Sequence, residues 1–73
     1  GHADGFSDAI HTLSRLLAED ADNERALLYR GKLLKRTSRM REALRDFQRI
    51  LQSNPRHREA MQEVRLLKQR ATK

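Results

Sequence analysis

Three histidines, four serines and two glutamates one helical turn apart are the residues of this 73-residue chain whose types could support catalysis or metal binding. His2, His11 and His57 are too dispersed for a zinc site, which needs ligands at short, regular spacing, and no His-x-x-x-His or His-Glu pair occurs. Glu59 and Glu63 share a helix face, but with no histidine or enclosing pocket beside them they read as a solvated surface. Ser7, Ser14, Ser38 and Ser53 lack a neighbouring base and the strand-turn-helix setting of a nucleophile. There is no glycine-rich phosphate loop. The absence of cysteine excludes a disulfide, a thiolate metal site and a thiol nucleophile. A chain this short buries only about 60% of its unfolded surface, too little for a large enclosed active site. The expectation is a non-catalytic protein with no metal and no cofactor.

Binding is the remaining class, and charge bears on it. Residues 1–24 carry six acids against Arg15 alone, whereas residues 25–73 carry fifteen bases against four acids. A basic segment of this kind favours acidic partners, although a charge run is also what a solvated arginine-rich helix face looks like. No apolar run approaches the roughly 18 to 20 residues that span a bilayer, and no charged-then-apolar secretory pattern opens the chain. The compartment stays open, with the cytoplasm as the default expectation. Gly1 and His2 fit a tag remnant, so residues 1–4 are assigned to a remnant or disordered start.

The elements that must position any binding residues are four helices. In the first, over residues 5–19, Phe6, Ala9, Ile10, Leu13, Leu16 and Leu17 recur at helical spacing on one face, and Asp4 offers an N-cap. The second is expected over 21–36, capped by Asp20, with Ala26, Leu27, Leu28, Tyr29, Leu33 and Leu34 forming an apolar sector wide enough for more than one neighbour. Gly31 sits inside it at a cost of about 1 kcal/mol relative to alanine, which close approach of another helix backbone would offset. Thr37 and Ser38 break the pattern and offer a cap for a third helix over 39–52, where Met40, Ala43, Leu44, Phe47, Ile50 and Leu51 repeat the first helix's spacing. Asp46 is assigned no special site. Asn54 is expected to cap the fourth helix over 55–70, with Pro55 at its first position. That helix shows Ala60, Met61, Val64 and Leu67 on one side, its remaining polarity suits a closing cap on the stack, and residues 71–73 are expected to fray.

Shifting the chain by thirty-four positions overlays Ala9 on Ala43, Leu16 on Ile50, Asp20 on Asn54 and Ala26 on Ala60. Alanines at 9, 26, 43 and 60 place one small residue in each helix, which permits short interaxial distances. The unit from Glu24 to His57 resembles a tetratricopeptide repeat, with Leu27, Gly31, Leu34, Ala43, Phe47, Ile50 and Pro55 at the family's packing positions. Arg30 stands where the family has leucine, and Ser38 where it has the inter-helix glycine. Residues 5–19 look like the second helix of a preceding repeat and 55–70 like the first helix of a following one. The resemblance implies an all-α fold, four antiparallel helices stacked as a superhelix. Since about three such repeats are usually needed for stability, it also implies a piece of a longer array, or self-association through the exposed face of the first helix.

By the same resemblance, first helices of successive repeats would line a peptide groove. Arg25, Leu28, Tyr29, Lys32, Lys35 and Arg36 would stand on one side and Glu59, Gln62, Glu63 and Leu66 on the other. Such a groove suits a protein or peptide partner with acidic residues and an apolar anchor near Leu28 and Tyr29. The competing reading is nucleic-acid binding through Arg39, Arg41, Arg45, Arg49, Arg56 and Arg58. Against it, Glu42 and Asp46 interrupt the basic face, and Phe6, Tyr29 and Phe47 are few aromatics for base stacking. A membrane surface is disfavoured, since no helix pairs large apolar residues with a free basic face.

Overall fold

The computed structural model describes residues 5–71, and the expectations placed on residues 1–4, 72 and 73 lie outside them. The chain is all-α among the described residues: α1 (Gly5–Glu19), α2 (Glu24–Arg36), α3 (Met40–Ser53) and α4 (Arg58–Ala71). The first helix falls where its periodicity puts it. The other three begin one to three residues later than propensity suggests, and the reason lies in the turns.

Asp20 does not cap α2; its backbone amide closes α1 by donating to the Leu16 carbonyl at 2.9 Å. The cap is Asn23, in extended backbone, whose Oδ1 accepts from the Ala26 amide at 3.0 Å. Thirty-four residues on, the same turn recurs. Asn54 ends α3 through its amide to Ile50 at 2.8 Å instead of capping α4, and Pro55 lies in the turn, not in the helix. His57 takes the capping role, its Nδ1 accepting from the Ala60 amide at 3.1 Å. Amides of Asn23 and His57 reach back to the carbonyls of Asp20 and Asn54 at 3.2 and 3.1 Å, so the two turns share their backbone and capping bonds.

Neither Thr37 nor Ser38 caps α3 by a side-chain bond. Arg39 is the N-cap, without such a bond, and Thr37 and Ser38 instead close α2. The Arg39 amide donates to Leu34 O at 2.8 Å and the Ser38 amide to Lys35 O at 3.1 Å, the six-to-one and five-to-two bonds of a Schellman motif. Ser38 occupies the left-handed position of that motif, with φ 65°. A β-carbon is disfavoured there, which gives the glycine preference at this position a physical basis.

Each helix packs against the next in sequence. Arg36 lies over the Phe6 ring and Arg30 bonds Ser14, so α2 runs antiparallel to α1. One core links all four: Ile10 and Leu17 of α1, Ala26, Leu27 and Leu34 of α2, Ala43, Phe47 and Ile50 of α3, Ala60 and Leu67 of α4. Of the four periodic alanines, Ala9 alone is only half-buried. Three expected face residues are exposed, Leu16, Tyr29 and Met61, because the outer sides of α1, α2 and α4 there meet no further helix among the described residues.

Gly31 is where α2 meets the Phe47 ring of α3. What approaches it is a side chain, not another backbone: a β-carbon on Gly31 would stand 2.7 Å from Cζ and 2.8 Å from Cε1 of the fully buried Phe47 ring. Gly31→Ala should therefore lose about 1–2 kcal/mol in chemical denaturation, overpacking outweighing the helix preference for alanine. Ser38→Gly should gain about 0.5–1 kcal/mol by relieving the left-handed backbone. A rise in stability for the first, or a fall for the second, would contradict these placements.

Candidate binding surface

The residues expected to line one groove divide into three settings. Lys32, Lys35, Arg36 and Glu63 border a shallow cavity with Met40 and Arg70. In it, Lys35 Nζ donates to Glu63 Oε1 at 2.6 Å, and Lys32 pairs with Glu59 on the same α2–α4 flank. The hydrogen bond to Glu59 raises the Lys32 pKa above its ordinary value, against a small cost of burial. Leu66 joins Lys35 and Arg70 in an adjoining hollow at the far end of α4. Tyr29 turns the other way: with Lys32 and Arg36 it faces α1, across an apolar cleft of about 600 Å³ containing Phe6, Ala9, Leu13 and Leu33. Leu28 is half-buried against the core, while Arg25 and Gln62 are exposed. The basic α2 is thus partly neutralised, because two of its lysines meet α4 carboxylates.

Asp46, assigned no site from the sequence, is the one buried charged residue among the described residues, and its partner is the partly exposed Arg30. Arg30 grips it bidentately, Nε donating to Oδ2 at 2.8 Å and Nη2 to Oδ1 at 2.7 Å, while Nη1 donates to Ser14 Oγ at 3.1 Å. This fork ties α1, α2 and α3 together and satisfies both carboxylate oxygens, the condition under which a buried charge is tolerated. The bond to Asp46 raises the Arg30 pKa further above its already high value. A signal existed: an arginine beside Gly31, on the packed side of α2, calls for an acid on the helix it meets. Spacing within a single helix does not reveal it, because the two residues are sixteen positions apart on different helices.

The arginines of the competing reading are also divided. Arg39 is engaged bidentately by Glu42 at 2.7 and 2.8 Å, and Arg49 by Asp22 at 3.2 Å. Arg41, Arg45, Arg56 and Arg58 are exposed and form no ion pair among the described residues. No helix among the described residues is long and apolar enough to cross a membrane.

Truncating the two ends of the buried pair should have unequal effects. Arg30→Ala strands the Asp46 carboxylate in the core and should cost about 3 kcal/mol, whereas Asp46→Ala should cost less, since the partly exposed guanidinium can turn to water. Replacing both by leucine should recover most of the loss. Urea unfolding of the three variants checks the order, and equal losses for both truncations would refute it. No family model matches this chain, and no curated protein or solved structure matches it.

Proposed function

We propose that this chain is a non-catalytic protein-interaction module of the tetratricopeptide type, a scaffold that takes a partner peptide across the α2–α4 face. The observation that carries the reading is an apolar side chain held out in solvent on this face, Leu66 at 45% exposure, beside the Lys32–Glu59 and Lys35–Glu63 pairs. An exposed aliphatic anchor beside ordered charges is the composition of a binding surface, and this face needs no movement of the core to present it. Because both lysines are already matched, apolar anchoring contributes more to affinity than charge does. Arg25 and Arg36 keep a preference for carboxylates at the rim.

The nucleic-acid alternative draws on Arg41, Arg45, Arg56 and Arg58, which have charge to offer phosphates. It lacks a stacking platform beside them: Phe47 is fully buried, and Phe6 lies under Arg36.

Titrating an acidic peptide with a leucine anchor into isotopically labelled protein should shift the backbone amides around Leu28, Lys32 and Leu66. Shifts confined to α3 would overturn the assignment of the face. Oligonucleotide binding measured across a salt series decides the alternative, since phosphate contacts would appear as affinity that rises steeply as salt falls.

A further inference from the structure

The apolar cleft between α1 and α2 has an internal counterpart. Under the thirty-four-residue shift, Phe6, Ala9 and Leu13 become Met40, Ala43 and Phe47, while Tyr29 and Leu33 become Glu63 and Leu67. Those residues of α3 and α4 form the seat on which α2 lies: Gly31 rests on the Phe47 ring and Lys35 bonds Glu63. Ala43 and Leu67 are buried within it. At the corresponding seat on α1 and α2, no helix is present among the described residues. Ala9 is left half-buried and Tyr29 exposed as a result.

We propose that this seat receives α1 of a second copy of the chain, so that two copies pair through their first helices. α1 has an apolar stripe wider than α2 can cover: Leu16 stays 44% exposed, and Phe6, Ala9 and Leu13 are half-buried. Ala9, the counterpart of the buried Ala43, is small enough to permit a close approach at this seat. Charge selects the occupant. α1 carries exposed acids at Asp8 and Glu19, and α2 carries exposed cations at Arg25 and Arg36 that form no ion pair among the described residues. Each pair is separated by eleven residues, about 16 Å at 1.5 Å per residue, so the two spans match. The contacts of Arg36 with Phe6 and of Arg30 with Ser14 set the antiparallel register of α1 and α2. An incoming α1 parallel to the resident one therefore brings Asp8 level with Arg36 and Glu19 level with Arg25. A two-fold axis between the α1 helices fills both seats at once, the isologous arrangement in which one surface patch is its own complement.

The test is sedimentation of the whole chain over a concentration series, with circular dichroism to confirm helicity. A dimer is expected. Leu16→Glu should shift it to monomer without loss of helix, and Asp8→Arg or Arg36→Asp should each weaken it by about tenfold or more, since like charges then face each other. The double variant Asp8→Arg with Arg36→Asp should restore association. A monomer at every concentration overturns the proposal, as does a dimer indifferent to all these changes. Either result leaves the α2–α4 face to be judged by its own titration, because Lys35 and Leu66 lie outside the cleft.

Discussion

The Phe47 ring stands where a β-carbon on residue 31 would be, and the rest of the structure is arranged around that approach. It brings α2 and α3 together at their midpoints and sets their register. Once Gly31 faces Phe47, the preceding residue on each helix, Arg30 and Asp46, comes within reach of a bidentate bond. Arg30 then extends to Ser14 and secures α1, while Lys35, one turn beyond Gly31, reaches Glu63 and secures α4. A mid-helix glycine costs helical stability locally, and the compensation here is a fully buried aromatic ring with polar links on either side.

That geometry also decides which charges face outward. A strongly basic chain usually presents basic surface, yet a good part of this one's charge is spent internally, on Asp46, Glu59, Glu63 and Glu42. The exposed Lys32–Glu59 and Arg39–Glu42 pairs contribute little stability individually, since solvent screens them. Their larger effect is on recognition. They turn a basic helix into a mixed face on which Leu66 is the prominent apolar feature, and they leave Arg25 and Arg36 to act at its edges.

The internal repeat extends beyond packing to the hydrogen bonds of the turns. Asp20 with Asn23 and Asn54 with His57 build the same connection, although their side chains differ, because the backbone path between stacked helices is the same in both places. An imidazole lone pair substitutes for an amide oxygen as the cap. The same equivalence makes the α1–α2 cleft legible as a seat, since its counterpart on α3 and α4 is occupied by α2.

The number of helices, their faces and most of the core could be read from the sequence, because helical periodicity is a local property: Ala26, Leu27, Leu34, Ala43, Phe47, Ile50, Ala60 and Leu67 are all buried as their spacing indicates. The special status of Gly31 was visible too, though not that a ring would be what approached it. Helix starts at Asn23 and His57, the left-handed Ser38 and the buried Arg30–Asp46 pair were not visible, for each depends on where a neighbouring helix lies. The candidate groove shows the same division. Sequence places Arg25, Leu28, Tyr29, Lys32, Lys35 and Arg36 on one helix, but helical spacing cannot say which carboxylates will stand opposite. Only the tertiary structure turned Tyr29 toward α1 and Lys35 toward α4, since the direction of a surface side chain matters only relative to the elements packed beside it.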